Sequence, residues 1–211
     1  AQLGELLVRK RAVPLVDIAY QGFATGLDED AHGIRLFARM LPVVLVASSC
    51  SKNFGLYRER AGTLSIFGAD GKAADRAHAH VLQLARSMYS MPPDHGAAVV
   101  ARILGDPELR ELWHGELTAM RRRIKSIRGL LAQHLREAGP ATDFSYLTQQ
   151  HGMFSLLDLT PAQVESLRAQ FHIHLIPSGR INLAALSHAN VSEVADAIAE
   201  VLHARRSCVS R

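Results

Sequence analysis

The sequence predicts an α/β fold: a parallel-rich sheet with helices, then a long connecting helix, then a small α+β carboxy-terminal domain. Three observations predict it. Two continuous apolar runs of strand length, VPLVDIAY and PVVLVASS, are separated by a helical stretch, the pattern of parallel strands buried by helices on both faces. Residues 107–138 repeat apolar side chains at helical spacing without a break. After residue 140, strand-like runs alternate with two helical stretches that carry start signals.

Residues 1–12 read as the end of a helix, and Pro14 opens the first strand, with Asp17 and Tyr20 at its far end. A turn-rich stretch leads to a short helix over 31–40. Residues 42–53 form the second strand, which ends in small polar residues, and 61–69 the third. Asp70-Gly71 marks a turn before a helix over 72–89, whose inward positions are Ala77, Val81, Leu84 and Met88. Pro92-Pro93 breaks it. Residues 95–139 are helical except near 105–107. The second part puts Leu109, Leu112, Leu117, Met120, Ile124, Ile127 and Leu131 on one stripe and stops at Gly139-Pro140. Then come strands over 144–150 and 152–159, and a helix over 160–171 with Thr160 as N-cap, Pro161 in its first turn and Gln163 at the box position. A strand over 173–186 and a helix over 190–206, capped by Asn190, complete the chain. The expected division is residues 1–105, the linking helix 106–139 and a small domain 140–211.

Composition narrows the function classes. With 211 residues, 48% of them hydrophobic and 21% charged, the chain is long and apolar enough for a buried core and unlike a disordered chain. No apolar run approaches the roughly 18 residues of a membrane span. The opening residues carry charge where a secretory leader is apolar. Cys50 and Cys208 make no disulfide framework, so a reducing, cytoplasmic setting is expected. The net charge of +4 comes from arginines that alternate with acids along 108–137, which reads as solvated helix faces rather than a nucleic-acid surface; Arg123, in RRRIK, reads the same way. The histidines, His172 and His174 included, lack metal-ligand spacing, so no metal is expected.

Lys52 is the sharpest feature. The chain has only four lysines, and Lys10, Lys72 and Lys125 sit in ordinary charged or turn settings. Lys52 follows VVLVASSCS at the end of a buried strand, where it is either a lysine that snorkels to solvent or a nucleophilic amine. Ser48, Ser49 and Ser51 supply hydroxyls beside it, and Arg60 follows in GLYRERAG. Hydroxyls and an arginine fork suit a phosphate dianion. Neither G-x-x-x-x-G-K-[ST] nor G-x-G-x-x-G occurs, so a nucleotide loop is excluded. A phosphate site with a reactive lysine suggests pyridoxal 5'-phosphate, whose aldehyde condenses with an amine. Asp17, a lone acid in an apolar strand, is either a solvated strand end or the carboxylate that keeps the cofactor's pyridine nitrogen protonated; Tyr20 is either a core residue or a donor to the phenolic oxygen.

The segments DIAYQGFATGLDED and SSCSKNFGLYRERAG resemble the aspartate and aromatic aminotransferases, the class I branch of the fold-type I pyridoxal-phosphate enzymes. YSMPPDHGAAVVARILGDPELRELW, MRRRIKSIR, HGMFSLLDLT and LIPSGRINLAAL continue the resemblance in order. It implies that residues 1–105 are the second half of the large cofactor-binding domain. It further implies that Lys52 captures the cofactor aldehyde and shuttles the substrate's α-proton, that Asp17 pairs the ring nitrogen and Tyr20 the phenolic oxygen, and that Ser49 and Arg60, with Ser51 in support, hold the phosphate. Arg180, otherwise a surface turn residue, is implied to grip the substrate α-carboxylate. Arg86, otherwise a helix-end cation, is implied to reach across a homodimer to a distal carboxylate. The implied reaction is ping-pong exchange between an aromatic or dicarboxylic amino acid and 2-oxoglutarate.

Several features depart from that pattern. The resemblance places the chain in the carboxy-terminal half of a family member, so half of the cofactor's contacts lie outside it and the isolated chain is expected to be inactive. Cys50 and Arg58 occupy variable places, Ala185 replaces a usual glycine, and His151 bears on substrate preference. A different class of reading is a non-catalytic dimerisation or interaction fragment with idle cofactor residues. A third is another reaction of the same cofactor, such as decarboxylation, which Arg180 opposes by stabilising the carboxylate that would leave.

Overall fold

A computed structural model describes residues 1–139 and 142–203. Pro140 as a helix stop, residues 204–206 of the last helix and Cys208 lie outside the described residues. The chain divides into two compact units, Ala1–Thr118 and Ala119–Arg211.

In the first unit, helix α1 (Gln2–Lys10) leads to strand β1 (Leu15–Ile18), then α2 (Leu27–Asp30), α3 (His32–Met40) and β2 (Val44–Ser49). Strand β3 (Gly62–Phe67) precedes α4 (Gly71–Tyr89) and α5 (His95–Gly105), and α6 (Pro107–Glu137) starts here and ends in the second unit. The sheet order is β1-β2-β3. Strands β1 and β2 are parallel, with Asp17 opposite Ala47. Strand β3 pairs with β2 antiparallel, with Ser49 opposite Gly62. The sheet is therefore mixed where the apolar runs suggested a parallel one. Residues 50–61 form turns and no helix, and without a crossover helix the chain can only fold back alongside β2.

Alternation along the strands separates two faces. On one, Val44 and Val46 are buried and pack with Leu7 of α1 and with Ile34, Phe37 and Met40 of α3. The face that carries Asp17 also carries Leu15 and Leu64, which are 66% and 47% exposed. Among the described residues, the expected cover on both faces is present on one.

Helix α4 starts at Asp70, whose Oδ1 accepts the Ala73 N–H at 2.7 Å, so the expected turn is an N-cap. Two of its expected inward positions are corrected: Leu84 and Met88 are exposed. On α6, Leu117, Ile124, Ile127 and Leu131 are buried as expected, whereas Leu109, Leu112 and Met120 are exposed. Periodicity shows that a helix has an apolar face, not how far along that face the neighbouring elements reach.

The close approach of β3 to β2 needs a glycine at one point. A Cβ on Gly62 would collide with the carbonyl oxygen of Ser48. Gly62→Ala is expected to cost about 1–3 kcal/mol by prying the strands apart at their Lys52 end, read as a lower urea midpoint with an unchanged m-value.

The second unit packs the remainder of α6 with α7 (Pro161–Phe171), α8 (Val191–His203) and a two-stranded antiparallel sheet of β4 (Phe154–Leu156) and β5 (Arg180–Asn182). Its core holds Ile124, Ile127, Leu131 and Leu135 of α6 with Leu167 and Ile198. The capping box at Thr160 and Gln163 is present, with Pro161 in the first turn. The expected strand over 144–150 is instead a 3₁₀ helix, Ser145–Gln149. Asp143 takes both the Ser145 N–H and its hydroxyl at 2.8 Å, and Thr148 Oγ1 donates to the Ser145 carbonyl, so local side-chain bonds displace a ladder. Of residues 173–186 only Arg180–Asn182 pair as a strand. Asn182 Oδ1 then accepts the Ala184 N–H and starts a 3₁₀ turn, Leu183–Ala185. The Asn190 carboxamide oxygen bonds Ser187 N–H and Oγ, turning back from the helix it was expected to cap.

Candidate active site

Strand direction brings Asp17, Tyr20, Ser49, Ser51, Lys52 and Arg60 of the first unit to one end of the sheet. Parallel β1 and β2 share their carboxyl end, and antiparallel β3 begins there. Asp17 and Tyr20 close β1, Ser49, Ser51 and Lys52 close β2, and Arg60 stands two residues before β3. The carboxyl ends of parallel strands are where open α/β sheets receive ligands.

Lys52 is half-buried, with Nζ 4.2 Å from the Tyr57 ring centroid and 5.6 Å from that of Tyr20. The Tyr20 contact joins the ends of β1 and β2 directly, and Tyr57 is a partner that sequence reasoning missed. Ser51 is only 7% exposed, and its N–H donates to Ser49 Oγ at 3.1 Å, which leaves the Ser49 hydroxyl hydrogen to donate outward. Arg60 adopts φ 54°, left-handed for a non-glycine residue, a strained conformation that surrounding structure must hold. One arm of its guanidinium, Nη1, donates to the Tyr57 carbonyl at 3.0 Å. Burial pushes the neighbouring Cys50 thiol up, which disfavours a thiolate there.

Asp17 is exposed and lines a shallow depression together with Tyr20 and Asp30. Asp30 organises the loop between them. Its carboxylate accepts the N–H groups of Gly22 (2.8 Å), Ala24 (3.1 Å), Thr25 (2.9 Å) and Gly26 (3.4 Å). Burial pushes the Asp30 carboxyl up, but the four backbone donors outweigh it and hold its pKa below the ordinary value. A depressed carboxyl pKa adds stability above the unfolded-state value of about 4, and that stability is lost as pH falls through the lower folded-state value. Asp30→Asn is expected to cost about 1–2 kcal/mol near neutral pH, at the low end for charged hydrogen bonds because the group is partly solvated. In urea melts across pH, the gap between variant and wild type should close below about pH 4. A gap independent of pH would exclude the charge.

The remaining predicted residues lie elsewhere. Arg86 is exposed in the last turn of α4. Arg180 belongs to the second unit. It pairs with Leu156 in the β4–β5 ladder, so Phe154 is its diagonal neighbour on the same face. Its guanidinium carbon stands 4.7 Å from the Phe154 ring centroid, and both line a cavity with His174 and Ile176.

Two arginines of α6 brace this part of the second unit, and one of them, Arg128, sequence reasoning passed over. Arg128 is 4% exposed and donates to the Gly152 carbonyl and, from Nε, to Ser155 Oγ at 3.4 Å; burial pushes its guanidinium below the ordinary value. Arg123, expected on a solvated face, donates to the carbonyls of Leu186 at 2.6 Å and Ala184 at 3.4 Å. The contacts of Arg123 and Arg128 span 24 to 63 residues, beyond any local pattern.

The donors at the sheet end match pyridoxal phosphate in kind: an accessible amine, a guanidinium and a hydroxyl for an anion, and an exposed carboxylate with a phenol beside it. The sequence comparisons agree. The family model described as aminotransferase class I and II matches residues 1–198. Aspartate aminotransferase of Escherichia coli (strain K12) is 48% identical over 200 residues, 95% of this chain and 50% of that protein. Aromatic-amino-acid aminotransferase of Pseudomonas aeruginosa is 47% identical over 197 residues, 93% of this chain and 49% of that protein. Among solved structures, aromatic-amino-acid aminotransferase from Burkholderia pseudomallei, covalently bound to pyridoxal phosphate, superposes with a TM-score of 0.91 at 46% identity over 95% of this chain and 50% of that one. The chain spans about half the length of the curated relatives it matches. With its fold and its sequence both matching, the chain belongs to the class I and II aminotransferase family.

Proposed function

We propose that this chain forms the lysine-bearing part of a pyridoxal-phosphate-dependent aminotransferase that exchanges an amino group between an aromatic or dicarboxylic amino acid and 2-oxoglutarate. The observation that carries the reading is the meeting of Lys52, Tyr20, Ser49, Asp17 and Arg60 at one end of the sheet, with the Lys52 amine against two tyrosine rings. When bound, the cofactor supplies an aldehyde that condenses with amines and a ring that accepts electrons from the substrate α-carbon.

The residues divide that work. Ser49 Oγ–H and the Arg60 guanidinium donate to the phosphate, with Ser51 holding the Ser49 hydroxyl through its own N–H. The Asp17 carboxylate accepts from the pyridine N–H and keeps that proton in place. The Tyr20 hydroxyl donates to the phenolic oxygen. Lys52 Nζ would hold the aldehyde carbon and, as a free amine, would accept the substrate's α-proton. The Arg180 fork binds the α-carboxylate in two parallel hydrogen bonds, and Arg86 serves a distal carboxylate. In this reading the division of the chain follows the work: residues 1–105 belong to the cofactor domain, 106–139 to the connecting helix and 140–211 to the small domain. The reading includes a homodimer, with Arg86 acting in the partner's site, and a cytoplasmic setting. No described helix is long and apolar enough to cross a membrane.

The test is covalent capture. The chain is mixed with pyridoxal phosphate, reduced with borohydride and mapped by peptide mass spectrometry. The adduct is expected on Lys52 in preference to Lys10, Lys72 and Lys125. Equal labelling of all four would count against the reading.

A further inference from the structure

Trp113 is the only tryptophan of the chain and stands on α6, far in sequence from Lys52. Its indole Nε1–H donates to the carbonyl oxygen of Asn53 at 2.7 Å. Its ring stacks on Phe54 with centroids 4.5 Å apart and planes 9° from parallel. These contacts fall on the two residues that follow Lys52.

The turn that carries Lys52 is weakly held by its own backbone. The Phe54 N–H reaches the Cys50 carbonyl at 3.3 Å and the Gly55 N–H reaches the Lys52 carbonyl at 3.3 Å, both beyond ordinary hydrogen-bond lengths. Gly55 closes the turn at φ 68°, where other residues are strained. Asn53 Oδ1 is buried without a partner among the described residues, a cost that favours other arrangements of the segment. A turn with long internal bonds and an orphaned oxygen is kept by contacts from outside: the short indole bond, the stacked ring and a long bond from Asn53 Nδ2 to the Gln21 carbonyl at 3.5 Å, of which the Trp113 contacts are the close ones.

We infer that Trp113 is a positioning residue: it clamps Asn53 and Phe54 so that the Lys52 amine projects against Tyr20 and Tyr57. Its use in catalysis rests on the proposed role of Lys52, but the clamp acts without cofactor and is tested without it.

The experiment uses the full chain and trace acetic anhydride. Peptide mass spectrometry gives the acylation rate of Lys52 relative to Lys10, Lys72 and Lys125 in the same molecules, which cancels reagent dose, and the ratio is read in urea-free buffer where a urea melt of each variant shows it fully folded. Trp113→Phe keeps a stacking ring and loses the N–H. Freed from the clamp, Lys52 leaves the two rings, and its relative rate rises about fivefold, the worth of one ordinary hydrogen bond. Phe54→Leu keeps the indole bond, loses the stack and gives a rise of about threefold. Relative rates within twofold of wild type in both variants, or lower than wild type, overturn the inference and leave Trp113 a packing residue. The pyridoxal-phosphate arm separates the two ideas. Equal labelling of all four lysines by the cofactor sinks the functional reading, while a raised acylation ratio in the variants still upholds the clamp.

Discussion

Under the proposed aminotransferase function, Lys52→Ala is expected to abolish covalent retention of pyridoxal phosphate and to lower kcat by about 10³-fold or more. The loss combines covalent capture with proton transfer at the α-carbon, which alone contributes about 10²- to 10⁴-fold. Lys52→Arg is the sharper variant. Its guanidinium keeps a cation near Tyr57 and Tyr20 and so preserves the electrostatics of the turn. It cannot deliver a neutral amine at any working pH. Both variants are therefore expected to be equally inactive, with the arginine variant unfolding closer to wild type. Turnover within tenfold of wild type in either would mean that a different amine carries the chemistry.

Arg180→Leu is expected to lower kcat/KM by on the order of 10²- to 10³-fold, because each charge-assisted hydrogen bond of a carboxylate–guanidinium pair contributes about 1.5–3 kcal/mol. Arg180→Lys keeps the charge and loses the fork, and should fall between. Phe154 qualifies the prediction. Its ring lies 4.7 Å from the Arg180 guanidinium carbon and limits where the fork can point. Phe154→Leu, which removes a cation–π contact of about 0.5–2 kcal/mol, should cost roughly 3- to 30-fold. It should act mainly through KM, since the fork still binds once aligned. A kcat/KM for Arg180→Leu within tenfold of wild type would take Arg180 out of the carboxylate site.

Different parts of the site were legible for different reasons. Lys52, Ser49 and Arg60 fall in one contiguous segment, and Asp17 and Tyr20 in another, so residue type and spacing were enough to nominate them. Asp30 stood in the same turn-rich stretch, yet nothing local says that four N–H groups will converge on its carboxylate. Trp113 reaches Asn53 across 60 residues, and Arg128 reaches Gly152 across 24. On their own helix both look like ordinary members of an amphipathic pattern.

Helix and strand placement divides in the same way. The box at Thr160 and Gln163 is a local motif whose two hydrogen bonds need only four residues, and it formed as read. The stretch 144–150 is equally apolar, but Asp143 and Ser145 offered the backbone a competing set of partners. Leu84 and Met88 keep the helical period and remain exposed, because coverage depends on what lies opposite.

The order of residues along the chain was thus sufficient for most of the element types, for the family and for nominating reactive groups, since all three rest on short-range spacing and on side-chain chemistry. Three-dimensional packing settled the rest: the antiparallel return of β3, the face of the sheet that the described helices cover, the pairing of Arg180 with Phe154 and the hold of Trp113 on the Lys52 turn. Each of these joins segments distant in sequence, and which distant groups meet is fixed by how strands register and helices pack, not by any neighbour along the chain.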